Sequence, residues 1–348
     1  MSGTGPDALR VAVVGAGANG GGIAADLVRA GLDVTVIEQW PEHVAAMRRD
    51  GLRVIMPDRE TVTPMRVLDL CDVAAEREPF DLVLMLVKAY DATWVARLML
   101  PVLAPDGLLI GVQNGMMAET IASVVGTERT LGCVIEVSSE LLEPGIIVRN
   151  TPPERSWFAL GVLPGGRDDR LELAAAVLGH AGRVEIVDDI LSAKWMKLVS
   201  NCTTLVATAA LGLPMIAALE TPGMRALMLR AGAEALAVGQ RDGRAMLPIF
   251  GLTTAQVEQP ETVVEVLLDA LYAGFVLPTT TTTVLHDWRR GRRSEAEQLN
   301  GLVARRAAQL GIASPANDAL IEIARQIERG DRVPEPGVAT ALQRLASR

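Results

Sequence analysis

Two rhythms of apolar residues run along this chain. Residues 10–14 form a short apolar run ending at Gly15, and an alanine-rich stretch of helical period follows to about Ala30. Residues 32–37 are a second run, rich in β-branched side chains. Further strands are predicted over 82–87, 107–112, 130–137 and 184–187, with helical stretches between most of them. Residues 146–161, interrupted by Pro152-Pro153, read as strand, turn, strand. Beyond Asp189 the helical period dominates, over 190–211, 222–240, 260–272, 299–310 and 315–326. Strands alternating with helices predict a parallel sheet covered on its faces. The change of rhythm divides the chain near residue 188, into an α/β domain over 9–188 and an all-helical domain over 189–348.

Composition adds exclusions. At 348 residues, 49% hydrophobic and 22% charged, the chain suits about two globular domains and excludes disorder, collagen and a disulfide scaffold. A net charge of −9 argues against nucleic acid or an anionic membrane as the main partner. Cys71, Cys133 and Cys202 have no metal-ligand or CxxC spacing, and His43, His180 and His286 are far apart. The expectation is therefore a reduced cytoplasmic protein with no metal site. Residues 1–10 lack the apolar core of a signal segment. Residues 198–219 carry no charge, but Ser200, Asn201, Thr203, Thr204, Thr208 and Pro214 make a buried central helix the better reading than a membrane span.

Candidate chemistry begins at Gly15-Ala16-Gly17-Ala18-Asn19-Gly20, a GxGxxG between a strand and a helix. Gly15 allows the tight turn, Gly17 lets backbone approach a pyrophosphate, and Gly20 lets helix pack on strand. About twenty residues on, the second strand ends in Glu38, which can accept ribose hydroxyls and repels a 2′-phosphate. Gln39 and Trp40 beside it carry no positive charge, so NAD is expected in preference to NADP. Of 33 basic residues only Lys88, Lys194 and Lys197 are lysine, the one basic side chain of the two that readily gives up a proton. Lys88 follows one apolar strand, Gln113-Asn114-Gly115 follows the next, and both fall at the strand ends where open α/β sheets bind ligands. In Lys194-Trp195-Met196-Lys197-Leu198-Val199-Ser200-Asn201, Lys197 and Asn201 stand one helical turn apart. A lysine there can give its proton to a developing alkoxide. Lys194 is read as a partly solvated helix charge, and Arg289, Arg290, Arg292 and Arg293 as a solvated basic face. Ser294 and Glu297 have capping-box spacing, which would place Glu295 in the first turn of a helix.

The glycine loop, Lys88-Ala89-Tyr90-Asp91, Gln113-Asn114-Gly115, Trp195-x-Lys197-Leu198-x-x-Asn201-Cys202 and Arg293-Ser294-Glu295 occur in an order that resembles the ketopantoate reductase (2-dehydropantoate 2-reductase) family. The resemblance spans about residues 9–330. It implies a Rossmann domain joined to a helical domain like the C-terminal part of 6-phosphogluconate dehydrogenase, and a homodimer. It implies Lys197 as general acid, Asn114 and Asn201 as groups that hold the substrate, and Lys88 near cofactor and substrate. Glu295 would bind the substrate's distal hydroxyl and support Lys197, and Thr283 would take the place of a carboxylate-binding serine. The same tract, 279–283, also reads as a loop with a helix N-cap. Three departures stand out. Leu205 replaces the family's second asparagine, Gln39 replaces the basic residue that selects NADP, and the chain is longer around 241–282.

The leading expectation is an NAD(P)-dependent oxidoreductase interconverting a 2-oxo acid and its 2-hydroxy acid, with ketopantoate as the family's substrate. The alternatives are an NAD-dependent dehydrogenase of another hydroxy acid, an imine or opine-type reductase, and a non-catalytic NAD(H)-sensing protein.

Overall fold

The structure is a computed structural model that describes residues 9–347. The reading of the N-terminus as free of a signal segment rests on residues that, up to residue 8, lie outside the described ones. The chain divides into two compact units, Met1–Leu191 and Ser192–Arg348.

The first unit begins with β1 (Arg10–Val14), α1 (Ala18–Arg29), β2 (Asp33–Glu38), α2 (Pro41–Asp50), β3 (Leu52–Ile55), β4 (Glu60–Thr63) and β5 (Arg66–Asp69). It continues with β6 (Phe80–Met85), α3 (Ala92–Met99), β7 (Leu103–Gly111), α4 (Ala118–Val125) and β8 (Thr130–Glu136). It closes with β9 (Ser139–Glu143), β10 (Ile146–Arg149), β11 (Trp157–Val162), α5 (Leu171–Gly179) and β12 (Arg183–Ile186).

Eight strands form one sheet in the order β12-β11-β8-β7-β6-β1-β2-β5. Its run β5-β2-β1-β6-β7-β8 is the 3-2-1-4-5-6 order of a dinucleotide-binding sheet. Both faces are buried, which is why β1 and β6 read as unbroken apolar runs. Val11, Val13, Leu82 and Leu84 pack on one face, while Ala12, Val14, Val83 and Met85 pack on the other. The all-parallel expectation fails at one place: β11 pairs antiparallel with β8. The strand–turn–strand segment enters through β10, which belongs to another sheet, so β11 approaches β8 from the opposite end.

That second sheet, β4-β3-β10-β9, was not expected. Apart from β10, which falls in the segment read as strand, turn, strand, its strands are short and carry polar or charged residues such as Arg53, Glu60 and Ser139, so no unbroken apolar run marks them. It packs over α1, where a Cβ on Gly21 would come within 2.5 Å of Ile147 Cδ1. Arg149, fully buried on β10, pairs with Asp26 of α1 and donates to Thr151 O, Ser156 Oγ and Ala181 O. Removing one member of such a pair costs roughly 3–5 kcal/mol, because the other charge is left buried.

The second unit is helical: α6 (Ile190–Ala210, whose first two residues belong to the first unit), α7 (Met215–Glu220), α8 (Met224–Arg241), α9 (Thr254–Val257) and α10 (Pro260–Phe275). Then come α11 (Thr283–Arg289), α12 (Asn300–Leu310), α13 (Pro315–Glu328) and α14 (Val338–Ala346). Helix α6 is buried along its whole length except at Leu205. It tolerates polar residues because they bond inward. The hydroxyls of Thr203, Thr204 and Thr208 donate to carbonyls one turn back, at 2.8, 3.0 and 2.9 Å. On α8, Cβ atoms at Gly239 and Gly232 would overlap Trp195 and Thr203, so the missing side chains let the two helices close up. Among the described residues no helix is long and apolar enough to cross a membrane.

Candidate active site residues

Four loops leave the large sheet side by side in the first unit. Gly15 N–H donates to Ile37 O (2.8 Å), Leu86 N–H to Val14 O (2.8 Å) and Val112 N–H to Met85 O (2.9 Å), so the ladder continues past the ends of β1, β2, β6 and β7. This lines up the glycine loop, Glu38, Lys88 and Gln113-Asn114 at the point where the strand order reverses. Lys88 and Asn114 are half-buried there.

Steric necessity accounts for two of the three motif glycines. Gly15 has φ +89°, and a Cβ on it would press within 2.9 Å of Val87. One on Gly20 would overlap the Gly15 carbonyl, whereas one on Gly17, the N-cap of α1, would meet nothing within 4 Å. The space over Gly17 is thus open beside the first N–H groups of a helix. The buried Oδ1 of Asn19 in the same turn has no hydrogen-bond partner.

Glu38 is buried, and its carboxylate organises this loop. Oε2 accepts from Ala16 N–H (2.7 Å), and Oε1 accepts from the N–H groups of Gln39 (2.8 Å) and Trp40 (2.9 Å). The next arginines along the chain are engaged elsewhere. Arg48 holds Val67 O and Asp72, and Arg49 holds Asp50. Sequence reasoning missed His43, which is fully buried on α2. Its Nδ1 accepts from Gly145 N–H (2.8 Å), so the proton is on Nε2, which donates to Ala16 O (2.9 Å). This neutral ring ties the glycine loop to the β9–β10 turn. Only contacts distant in sequence reveal it.

In the second unit Lys197, Asn201 and Leu205 stand at successive turns along one face of α6. Trp195 fixes the rotation of the helix from the far side, with Nε1 donating to Ala235 O at 2.9 Å. Lys197 and Asn201 are buried, and Leu205 is half-buried. Thr282 Oγ1 donates to Leu205 O (3.1 Å), bringing Thr283, the first residue of α11, to that end of the row. Thr282 is the N-cap residue of α11, though its side chain makes no cap bond.

Two expectations need correction. Lys194 is not partly solvated: it is 3% exposed, because α6 has no solvent-facing side at that turn. Ser294 and Glu297 do not form a capping box. Ser294 N–H and Oγ both donate to Glu328, at 2.9 and 2.6 Å, while Glu297 turns outward to Arg305 and Arg325, each 2.7 Å away. Glu295 is therefore the N-cap of a three-residue 3₁₀ turn, Ala296–Gln298, ahead of α12. It is buried there. The true capping box is Thr253 with Gln256. Arg289, Arg290, Arg292 and Arg293 are exposed.

No motif or periodicity marks Phe250, whose ring centroid is 4.9 Å from Lys197 Nζ. Burial pushes the Cys202 thiol up, out of the reactive range. The cysteines form no disulfide, and among the described residues no group of three or more His, Cys, Asp or Glu is placed to hold a metal.

A doubly wound sheet with a glycine loop, followed by a helical unit with a buried lysine–asparagine row, defines the NAD(P)-dependent oxidoreductases that act on hydroxy acids, and this protein is one of them. The chain belongs to the ketopantoate reductase family: residues 11–161 match the family described as Ketopantoate reductase PanE/ApbA, and residues 189–328 match Ketopantoate reductase PanE/ApbA C terminal. It is 27% identical to the 2-dehydropantoate 2-reductase of Mesorhizobium japonicum, over 92% of this chain and 99% of that protein. The Halobacterium salinarum protein of the same name is 28% identical, over 92% of this chain and 99% of its own. A PanE/ApbA family ketopantoate reductase structure from Ralstonia eutropha JMP134 matches at TM-score 0.77 and 29% identity, covering 92% and 98% of the two chains. The structure of a D-mandelate dehydrogenase with NADH and anilino(oxo)acetate shares the fold, at TM-score 0.80, 20% identity and 92% and 98% coverage. The cofactor is a nicotinamide dinucleotide, and the open cradle over Gly17 with the orphaned Asn19 Oδ1 fits its pyrophosphate end.

Proposed function

We propose that this chain is an NADH-preferring reductase of a 2-oxo acid more apolar than ketopantoate, able to run in reverse as a 2-hydroxy acid dehydrogenase. Leu205 carries this reading. It is the one half-buried residue on an otherwise buried helix, one turn past Asn201, and it offers a substrate no hydrogen bond. Glu38 supports the choice of NAD, since a buried carboxylate ending β2 with Arg48 and Arg49 engaged elsewhere disfavours a 2′-phosphate. The dinucleotide, when bound, exchanges hydride with the carbon of the substrate. Lys197 gives the matching proton to the ketone oxygen, so ketone, hydride and proton make the alcohol. Asn114 and Asn201 hold the substrate, Glu295 and Thr283 bind its polar ends, and Lys88 lies near cofactor and substrate. Residues 9–188 bind the nucleotide, and 189–348 bind the substrate and pair two chains in a cytoplasmic homodimer. The names of the curated relatives support a second reading, ketopantoate to pantoate in pantothenate synthesis.

The test is oxidation of NADH and NADPH by the purified protein across a panel of 2-oxo acids that includes ketopantoate. NADH and a bulkier apolar acid should give the higher kcat/KM, and Glu38→Ala should narrow the gap between cofactors. Equal or better use of NADPH would refute the cofactor choice. Ketopantoate clearly best would establish the second reading.

A further inference from the structure

Four phenylalanines occur in the chain, and they divide by environment. Phe80 and Phe158 are fully buried in the core of the first unit. Phe250 and Phe275 are only half-buried, and they face each other in the second unit with ring centroids 5.9 Å apart and planes tilted by 54°. Lys197 Nζ lies 4.9 Å from the Phe250 centroid, where the negative face of the ring attracts an ammonium.

The backbone at Phe250 is unusual. Its φ of +61° is the only positive value at a non-glycine among the described residues. With Gly251 at +78° and Leu252 N–H donating to Ile249 O (3.1 Å), residues 249–252 form a turn whose two central residues are both left-handed. Such turns favour Gly, Asn or Asp, and a bulky side chain there is a steric outlier. The loop is pinned so that this side chain is presented. Arg244 N–H donates to Gly239 O and Ala245 N–H to Ser192 Oγ, both at 2.9 Å, and Ile249 is buried. Asn or Gly would make the same turn more easily, so the ring must be explained by what it touches.

We propose that Phe250, backed by Phe275, is the specificity-determining residue of this enzyme, and that it selects a 2-oxo acid bearing an aromatic ring. This rests on the reading of Lys197 as proton donor to a 2-oxo acid. A ketone oxygen bonded to Nζ stands about 2.9 Å from it, so a substituent on that carbon turned toward the loop comes within van der Waals reach of a ring centred 4.9 Å from the same nitrogen. Tilted ring pairs gain more than their buried area alone provides. Leu205, two turns along the row from Lys197, adds a second apolar surface.

The experiment compares phenylglyoxylate and phenylpyruvate with a branched aliphatic 2-oxo acid and with ketopantoate, using the full chain and NADH. The wild type should favour an aryl acid over the aliphatic one by about tenfold or more in kcat/KM. Phe250→Ala and Phe250→Leu should erase that preference, chiefly through KM. Phe250→Asn, which suits a left-handed turn and keeps the loop folded, should erase it as well. A wild type that prefers aliphatic acids would overturn the proposal. So would variants that lose kcat equally on every acid, since the ring would then only hold Lys197. Turnover of no 2-oxo acid at all would defeat the underlying reading instead. Calorimetric binding of phenylglyoxylate would then decide the Phe250 assignment, and equal affinity for wild type and Phe250→Ala would overturn it.

Discussion

The glycine loop of the first unit is a candidate site made of backbone, and the α6 row of the second is a candidate site made of side chains. In the loop, atoms that are absent matter most: a Cβ on Gly20 would overlap the Gly15 carbonyl, and the open space over Gly17 can receive a ligand. Glu38 and His43 serve this backbone, each by a hydrogen bond to Ala16. In the row, the helix is only a carrier, and on the proposed function Lys197, Asn201 and Leu205 set what it can do. A backbone site tolerates almost no change in its glycines, whereas a side-chain site can be retuned one residue at a time. The sequence fits this contrast: the glycine motif is intact, and the residue one turn past Asn201 is Leu205.

The largest effect that would test this contrast is at Lys197. Lys197→Met keeps most of the stem volume and removes the ammonium, so NADH should still bind while kcat falls by about 10² to 10⁴. Lys197→Arg should not rescue it, since a guanidinium keeps its proton and needs more room. Lys194→Met is no neutral control, because Lys194 is also buried. It should lower the thermal midpoint and cost kcat less than Lys197→Met does. Equal losses of kcat at the two lysines would remove Lys197 as the acid.

At the backbone site the expected split is between stability and binding. Gly20→Ala should destabilise the first unit by about 1–3 kcal/mol through overpacking. Gly17→Ala adds a methyl to empty space, so stability should stay within about 0.5 kcal/mol while the KM for NADH rises. Urea unfolding and cofactor kinetics on both variants read this directly. A stability loss at Gly17 as large as that at Gly20 would contradict it.

Legibility followed the same contrast. The glycine loop, Glu38 and the buried apolar runs of β1 and β6 could be read from sequence because steric rules and burial on both faces leave a local pattern. Of the second sheet only β10 was legible, inside the strand–turn–strand reading of 146–161; β3, β4 and β9 are short and partly polar, and pairings such as Ile147 with Val54 join residues far apart in sequence. On α6 the lysine–asparagine spacing and a lysine able to give up its proton were visible, but the substrate-holding roles came from the family resemblance. Phe250 was invisible, because a turn favouring glycine or asparagine is no place to expect an aromatic ring.

A smaller effect would retune the side-chain site. Leu205→Asn restores a donor and an acceptor one turn past Asn201. If Leu205 faces the substrate, the kcat/KM for ketopantoate should rise by about tenfold, the worth of one added hydrogen bond of about 1.4 kcal/mol. Apolar acids should lose by a similar factor. No change for either class would show that Leu205 is away from the substrate.

The last effect concerns how Glu295 is held. Ser294 is buried and bonded to Glu328, and its Oγ also accepts from Ala296 N–H (3.2 Å), so Ser294→Ala should cost about 1–2 kcal/mol and raise the substrate KM. Glu297 is instead an outward ion-pair partner. Partial burial raises its pKa, but the guanidinium groups of Arg325 and Arg305 together outweigh this and hold it below the usual carboxylate range. A folded-state pKa below the unfolded one gives stability that is present above about pH 4.3, the ordinary glutamate value, and lost as pH falls through the folded value. Both arginines are about half exposed, so water screens the pairs, and Glu297→Gln should cost about 0.5–1 kcal/mol at pH 7, a difference that closes in acid. Urea titrations of both variants at pH 7 and in acid separate the two roles. Were Glu297→Gln as costly as Ser294→Ala at pH 7, and equally costly in acid, Glu297 would be holding the turn and the capping box would return.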